Sequence, residues 1–267
     1  MLRFASAGRS HAGLVRDHNE DSGFAGPYLQ LVADGVGGSA AGEVASATAA
    51  YVVSALAGAQ WGRDPAELLG RAVTLAYEQL RRGSEADPSR AGMGTTFTAL
   101  LIDDDRCALG HLGDSRAYLL RDGELSQLTR DHTYVQSLVD SGVITPEEAR
   151  RHPRKNVVSQ ALEAGGTGRP DLLHLEIHVG DRFLVCSDGV SDLVPDDAIA
   201  ACLGEEDPDD AARRLVDAAL AAGGTDNITA VVSDVVDGSR IVFDGARLGA
   251  FSNPHLVVDP AAVRAPA

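Results

Sequence analysis

The segment LQLVADG, residues 29–35, runs from apolar residues into an Asp-Gly pair, and this arrangement recurs along the chain. LGHLGDS at residues 109–115 and FLVCSDG at residues 183–189 each end an apolar run in Asp followed by a small residue. Short apolar runs bounded by turn residues are typical of buried strands. Asp-Gly is also a common turn pair, so any one of these segments alone indicates only a chain reversal. Together they predict several strands that each end in a carboxylate.

Strand-like and helix-like segments come in groups instead of alternating one by one. Strand-like runs occupy parts of 2–33, then 95–102, 106–113, 116–123, 124–129, 181–187 and 228–236, with a hairpin turn at 122–123. Helical patterns occupy 40–56, 65–82, two short pieces within 131–151, 195–203 and 208–222. This grouping predicts an α+β fold with antiparallel sheets, because parallel sheets need regular strand–helix alternation. Residues 237–267 lose the periodicity, and we predict an extended tail or a loosely packed extra segment there.

Antiparallel strands can bring their ends to one edge of a sheet, so the strand-end carboxylates are expected to converge. The candidates are Asp34, Asp114, Asp188, Asp226 before the last strand, and Glu20 and Asp21 at the end of RDHNED. Converged carboxylates stay ionised together only if cations neutralise them. Oxygen ligands select Mg²⁺, Mn²⁺ or Ca²⁺, and no His or Cys pair accompanies them to favour zinc. A binuclear centre that activates water against a phosphoryl group is the chemistry that this set favours.

Composition narrows the class of protein. The 267 residues, of which 44% are hydrophobic, suffice for one large domain or two small ones. A net charge of -16 argues against a broad nucleic-acid-binding face, which needs clustered Lys and Arg. Residues 1–13 lack a signal-peptide core, and no run of about 18 apolar residues suggests a membrane span, so we expect a cytoplasmic protein. The three cysteines are irregularly spaced and are expected to be buried, reduced thiols.

Seven motifs in order resemble the protein phosphatase 2C-like (PPM) family of metal-dependent Ser/Thr phosphatases, in the style of its bacterial members. The resemblance covers about residues 6–236. Its motifs are RDHNED (16–21), ADGVGG (33–38), GMGTTFTALL (92–101), GHLGDSRAYLL (110–120), HPRKNVVSQAL (152–162), CSDGVSDLV (186–194) and GGTDNIT (223–229). It implies a four-layer αββα sandwich, with two packed antiparallel sheets flanked by helix pairs. It further implies a catalytic domain over 1–236, a flap at about 131–165, and a partly irregular C-terminal extension over 237–267.

The resemblance also implies a set of metal ligands. Two core ions, Mn²⁺ or Mg²⁺, are expected, with a third, weaker one common in bacterial members. Asp34 would bridge the core ions, and the carbonyl of Gly35 would complete one of them. Asp188 and Asp226 would bind the other core ion, and Asp114 would hold the third ion together with Asp188.

The opening motif supplies the other catalytic candidates. Glu20 and Asp21 would act through metal-bound waters or orient the ligands. Arg16 would bind the substrate phosphate, whose oxygens match a planar guanidinium. The alternative for Arg16 is a surface ion pair with Asp17 or Glu20. One position departs from many eukaryotic members, which carry a His that could act as general acid. Here Val36 cannot donate a proton, which leaves a metal-bound water or no acid at all.

The flap carries a basic run in an acidic chain: Arg150, Arg151, Arg154 and Lys155. The run either attracts acidic phosphoproteins or is simply a solvated helix end, and the sequence favours neither interpretation. Asn156 is a candidate contact of the third-metal region. His132 and His152 are expected to be structural or hydrogen-bonding residues and not metal ligands.

The sequence therefore predicts a hydrolase, a protein-serine/threonine phosphatase that acts in signalling. Its expected partners are phosphorylated proteins, the substrates of bacterial Ser/Thr kinases, with no nucleic acid and no membrane, and it is expected to be a monomer. One alternative is a metal-assisted phosphohydrolase of small phosphate esters. The other is a phosphoprotein-binding module with little activity, which the retained carboxylates disfavour.

Overall fold

The computed structural model describes residues 1–36, 41–166 and 168–263 of the chain. Its strands are β1 (Leu2–His11), β2 (Ser22–Ala25), β3 (Leu29–Ala33), β4 (Gly35–Val36), β5 (Gly94–Thr95), β6 (Phe97–Asp103), β7 (Arg106–Leu112), β8 (Arg116–Arg121), β9 (Glu124–Gln127), β10 (Leu162–Glu163), β11 (Asp171–Leu175), β12 (Arg182–Cys186), β13 (Ile228–Asp237) and β14 (Ala246–Gly249). Its α-helices are α1 (Gly42–Ala59), α2 (Pro65–Ala86), α3 (Tyr134–Asp140), α4 (Pro146–Arg150), α5 (Asp188–Ser191), α6 (Asp196–Leu203) and α7 (Pro208–Ala221).

Two sheets form the centre of the fold. One has five strands in the order β1-β13-β12-β8-β9, and the other has six in the order β11-β7-β6-β3-β2-β14. A small three-stranded ribbon, β10-β5-β4, stands beside them. All of these pairings are antiparallel, as the grouped strands predict.

Three separate clusters of buried side chains hold four layers together. Alternate residues of one strand point to opposite faces, so Leu31 packs on α1 and α2 while Val32 packs between the sheets. In the same way Phe183 lies between the sheets while Leu184 faces α6 and α7. Strands buried on both faces are mainly apolar, which is why they appear as nearly continuous apolar runs in the sequence. The four-layer αββα sandwich is therefore confirmed.

Helix α2 begins where the sequence predicts and ends later. The carboxylate of Asp64 accepts hydrogen bonds from the backbone N–H groups of Ala66 and Glu67, at 3.0 Å each. The prediction that the helix stops before Gly83 is wrong, because α2 continues to Ala86. A Cβ atom at Gly83 would lie 2.7 Å from a methyl of Val258. This glycine therefore permits close packing inside the helix and does not end it.

Helix α1 starts two residues later than the predicted 40–56, at Gly42, and residue 40 lies outside the described residues. The two short helices predicted within 131–151 are confirmed as α3 and α4. An isolated bridge between Thr133 and Val158 closes the base of the flap, residues 131–165. Within the described ranges, no helix is both long enough and apolar enough to cross a membrane.

The C-terminal segment is packed more closely than the sequence indicates. Residues 246–249 form β14, which adds to the six-stranded sheet beside β2. Phe251 follows, with 1% of its surface exposed. We call residues 246–263 the C-terminal strap. The expectation of a loosely packed segment fails for the strap because its contacts lie with residues far away in the sequence, which local patterns do not reveal.

All three cysteines are buried and free, as the sequence indicates. Cys107 lies in β7 and Cys186 in β12, both on strands with apolar neighbours on each side. Burial raises the pKa of each of these two thiols to about 12. They are therefore structural residues of the sheets.

Candidate metal centre

Five aspartates gather at one edge of the packed sheets. Burial raises the pKa of Asp34 well above its ordinary value, and the negative charges of its neighbours raise it further. Those neighbours are, in decreasing order of effect, Asp21, Asp188, Asp114 and Asp226. Such effects weaken with distance, so these carboxylates, which lie far apart in the sequence, are close in the fold.

The atoms at this edge are suited to a hard divalent cation. The Oδ1 atoms of Asp188 and Asp21 are buried and have no hydrogen-bond partner, which is costly for a carboxylate unless a cation compensates. The gathered donors are all oxygen atoms, the ligands that Mn²⁺ and Mg²⁺ prefer. In the described part of the chain, no three His, Cys, Asp or Glu side chains are close enough to enclose an ion without moving. The donor set fits these ions in chemistry, and its side chains would have to move to enclose one.

Close backbone packing holds the segments that carry the core aspartates. A Cβ atom at Gly189 would collide with the carbonyl oxygen of Asn227, so the residues after Asp188 and Asp226 touch main chain to main chain. A Cβ atom at Gly35 would lie 2.6 Å from the carbonyl carbon of Gly42, at the start of α1. Because only glycine allows these approaches, the core side of the edge has little freedom to move.

Hydrogen bonds fix the backbone of Asp34 as well. Its N–H donates to the hydroxyl of Thr96 at 2.9 Å. Its carbonyl oxygen accepts from the N–H of Thr96 at 2.8 Å and from the hydroxyl of Thr95 at 2.9 Å. Asp34 itself is half-buried, and its main chain is thus pinned from both sides.

Asn227 organises the site, although no role for it is evident from the sequence. Its Oδ1 accepts a hydrogen bond from the N–H of Glu20 at 2.7 Å. Its Nδ2 donates to the carbonyl oxygens of Ala12 and His18, at 3.0 and 2.9 Å. Asn227 thereby ties the loop that contains Arg16 to the start of β13. The signal in the sequence is an amide next to Asp226 at the start of an apolar strand, which local pattern alone cannot interpret.

Asp21 and Glu20 lie behind the edge. The hydroxyl of Ser187 donates to Oδ2 of Asp21 at 2.8 Å and accepts from the N–H of Thr229 at 3.0 Å. Burial raises the pKa of Asp21 to about 6. The pKa of Glu20 is raised by burial and then by the charge of Glu43. Ser187 is a further residue that sequence reasoning missed, since it fixes the carboxylate of Asp21.

Arg16 lies at the rim of the site, about half exposed. Its Nη2 donates to Oδ2 of Asp226 at 2.7 Å. Arg16 does form an ion pair, but the alternative that names Asp17 or Glu20 as its partner is wrong, because the partner is Asp226.

Asp114 is held from the flap side. It is 8% exposed, and burial raises its pKa to about 7, followed by the charges of Asp131 and Asp192. The preceding residue, Gly113, is bound at both of its polar groups by His132. The N–H of Gly113 donates to Nδ1 of His132 at 3.2 Å, and the N–H of His132 donates to the carbonyl oxygen of Gly113 at 2.7 Å.

His132 also joins the two ends of the flap. Its Nε2 donates to Oδ2 of Asp171 at 3.2 Å, at the start of β11. Its carbonyl oxygen accepts from the N–H of Ser159 at 2.8 Å, where the flap returns to the sheets. His132 is thus a hydrogen-bonding residue, in agreement with the sequence argument, and it connects the flap base to the residue before Asp114.

A cavity of about 250 Å³ lies between the flap and the aspartates. Its lining includes Asp114, Asp188 and Asp192 together with Lys155 and Asn156. Asn156 thus lines the same cavity as Asp114 and Asp188, and its contact with a third metal ion stays a prediction.

The basic residues of the flap already have partners. Lys155 binds Asp192 at 2.6 Å and Arg150 binds Asp196 at 3.4 Å across the cavity. Arg151 pairs with Glu147 at 3.1 Å, and the guanidinium of Arg154 lies 5.7 Å from the ring centroid of Tyr134. Neighbouring groups within the chain thus partly neutralise the run, which favours the structural interpretation over a docking surface for acidic proteins.

Comparisons with known proteins agree with this geometry. The family model described as Protein phosphatase 2C matches residues 8–222. The chain is 48% identical over 237 residues to Serine/threonine protein phosphatase PstP of Mycobacterium tuberculosis, which covers 89% of this chain. It spans only 46% of that relative, about half of its length. It is 33% identical over 240 residues to Serine/threonine phosphatase stp of Listeria monocytogenes serotype 4b, covering 84% of this chain and 93% of the relative.

Solved structures give the same answer. The crystal structure of the M. tuberculosis phosphatase PstP/Ppp has a TM-score of 0.81 at 47% identity, covering 87% of this chain and 98% of that one. The PstP catalytic domain in complex with two manganese ions also has a TM-score of 0.81 at 47% identity, covering 89% of this chain and all of that one. With four-fifths of its length matched and its sheet edge lined by aspartates, the chain belongs to the protein phosphatase 2C family.

Proposed function

We propose that this chain is a Mn²⁺- or Mg²⁺-dependent hydrolase that removes phosphate from phosphoserine and phosphothreonine in proteins. The observation that carries the proposal is the edge where buried, partly unsatisfied carboxylates converge beside a half-exposed arginine. Relatives named as serine/threonine phosphatases support the reaction. The PstP catalytic domain in complex with two manganese ions supports the choice of metal.

In this proposal the core aspartates and one carbonyl hold two ions. Asp34 and the carbonyl of Gly35 would hold one ion, Asp34 with Asp188 and Asp226 would hold the other, and Asp114 with Asp188 would hold a weaker third. When bound, the metals supply Lewis acidity toward water and toward the oxygens of the phosphoryl group.

The remaining residues orient water around the metal ligands and bind the charged phosphate of the substrate. Asp21, fixed by Ser187, and Glu20, fixed by Asn227, hold their positions behind the ligands and orient water around them. Arg16 presents its guanidinium at the rim, where a phosphate can accept from it once a cation compensates Asp226. Val36 follows Gly35 and provides no proton for the leaving oxygen.

The test compares two substrates under two metal conditions. The kcat/KM on a phosphothreonine peptide is measured against that on a phosphorylated small metabolite, in Mn²⁺ and in excess EDTA. We expect the peptide to be preferred and EDTA to reduce both rates to background. A preference for the metabolite would favour the small-ester phosphohydrolase. Peptide binding without turnover in Mn²⁺ would favour the binding module.

Within this function we propose signalling roles for the chain, on substrates that bacterial Ser/Thr kinases phosphorylate. The bacterial origin of the named relatives supports this choice. The monomeric state and the cytoplasmic location stay predictions of the sequence.

A further inference from the structure

The C-terminal strap lies outside residues 8–222, the part that the family model matches, yet it contacts the site directly. Its strand β14 pairs with β2 in a register that places Gly249 opposite Ser22. Ser22 follows Asp21, whose charge is the strongest neighbouring influence on Asp34. The strap thus reaches the sheet edge one residue away from the candidate centre.

Two consecutive residues of the strap grip the backbone of Asp21. The N–H of Ala250 donates to the carbonyl oxygen of Asp21 at 2.7 Å. Gly249 has a φ of 59°, and a Cβ atom there would collide with the same oxygen. Only glycine combines this backbone conformation with so close an approach. The contact is therefore specific to the sequence at 249–250.

Beyond this grip the strap crosses α1 and α2. Phe251 is buried in the cluster that these helices share with the six-stranded sheet. The N–H of Val258 donates to the hydroxyl of Thr48 in α1 at 3.1 Å, and its side chain packs against Gly83 in α2. The strap is thus fixed at both ends, and its position is coupled to that of α1.

Helix α1 is in turn part of the frame of the site. Its first residue, Gly42, packs against Gly35, the residue whose carbonyl is a candidate ligand. The hydroxyl of Ser46, one turn later, donates to the carbonyl oxygen of Glu20 at 2.5 Å. Both the loop before β2 and the start of α1 therefore depend on a segment about 200 residues later in the chain.

We propose that the C-terminal strap is a positioning element of the metal centre, which holds Asp21 and α1 where the core ligands can close on a cation. The inference rests on the proposed function, because it concerns that function's ions. Loosening the strap would then reduce the free energy of metal binding by more than it reduces the free energy of unfolding of the metal-free protein. Excess metal would restore turnover.

The decisive variant is Ala250→Pro, which removes the N–H that binds Asp21. Ala250 is the first residue of a short 3₁₀ helix, a position whose backbone suits proline. Ala250→Ser is the matched control, because it keeps the N–H and changes a side chain on which the argument does not depend. Mn²⁺ binding is measured by equilibrium dialysis without substrate, alongside the Tm in EDTA.

We expect Ala250→Pro to weaken Mn²⁺ binding about three- to tenfold. This is the range expected when one hydrogen bond is lost and the backbone of Asp21 is displaced as a result. Ala250→Ser should bind Mn²⁺ within about twofold of the wild type. Unchanged Mn²⁺ affinity in Ala250→Pro, with or without a fall in the metal-free Tm, would show that the strap is only structural.

Thr48→Val keeps the test decisive where Ala250→Pro does not fold. It removes the hydroxyl that holds Val258 and nearly preserves shape, and we expect about two- to threefold weaker Mn²⁺ binding. Unchanged Mn²⁺ binding in that variant overturns the inference. A wild type that binds Mn²⁺ but leaves a phosphopeptide intact rejects the proposed function and not the strap, while one that binds no Mn²⁺ rejects both.

Discussion

The two sides of the carboxylate edge are built by different means. On the core side, Asp188 at the start of α5 and Asp226 before β13 are followed by residues that touch through their main chains, at a place where only Gly189 fits. On the flap side, Asp114 follows Gly113, whose N–H donates to the side chain of His132 and whose carbonyl oxygen accepts from the backbone N–H of His132. Main-chain packing leaves no single group to remove, whereas a side-chain clamp can be released by one change. The core side is therefore fixed and the flap side adjustable.

Removing a core ligand should have the largest effect. We expect Asp188→Ala to reduce hydrolysis of p-nitrophenyl phosphate to background, because Asp188 is proposed to serve both a core ion and the third ion. EDTA should do the same to the wild type. Rates are compared in millimolar Mn²⁺, with Asp217→Ala on the outer face of α7 as the control. Appreciable turnover by Asp188→Ala would show that the core side is not where the metal acts.

Removing the flap-side ligand, Asp114, should lower turnover without removing the two core ions. We expect Asp114→Ala to keep two ions and the native fold but to lose most of its turnover on phosphoproteins, because affinity for a hard cation falls with ligand charge. Equilibrium dialysis at low and millimolar Mn²⁺ counts the ions. If the variant binds as many ions as the wild type at millimolar Mn²⁺, Asp114 is a turn residue and the two sides do not differ in metal binding.

Arg16 tests the rim that both sides share. Arg16→Ala should raise the KM for a phosphopeptide about tenfold to a hundredfold, since a charge-assisted contact contributes roughly 1.5–3 kcal/mol. Metal affinity should remain close to that of the wild type. Arg169→Ala, which changes an arginine outside the carboxylate edge, is the control. Unchanged KM and kcat for Arg16→Ala would show that Arg16 forms an ion pair with Asp226 but does not bind the substrate phosphate.

The smallest effect is expected from substitutions at His132 that each keep only one of its two side-chain hydrogen bonds. His132→Asn keeps an acceptor for the N–H of Gly113, whereas His132→Gln keeps a donor toward Asp171 and loses that acceptor. We expect His132→Gln to need about fivefold more Mn²⁺ for half-maximal turnover, the equivalent of about one hydrogen bond, and His132→Asn to stay near the wild type. The measurement is the Mn²⁺ dependence of kcat for each variant. If both variants need the same Mn²⁺ concentration for half-maximal turnover, His132 does not position the metal centre.

The sequence predicts best what is buried on both faces. Strands β3, β6 and β12 stand out because the side chains on each of their faces enter an apolar cluster. Strand β14 has no such signal, because none of its four residues is fully buried and its partner β2 lies more than 200 residues earlier. Patterns in the sequence report which residues are buried, but they do not report which distant segment covers them.

The same limit applies to the candidate centre. Strand-end aspartates mark the edge, since Asp in a repeated context is visible locally. The pairing of Arg16 with Asp226 and the bonds of Asn227 to residues 12–20 depend on contacts 207 to 215 positions apart. The residues that supply charge could thus be predicted, and those that hold them in place could not.

Cys186 lies two residues before Asp188, close to the carboxylate edge but sealed within β12. Because burial raises its thiol pKa to about 12, almost none of it is the thiolate that peroxide and alkylating reagents attack. Cys107 and Cys202 are buried as well. The folded chain therefore keeps its three thiols away from oxidants, and we expect cysteine oxidation to require that the protein first unfold.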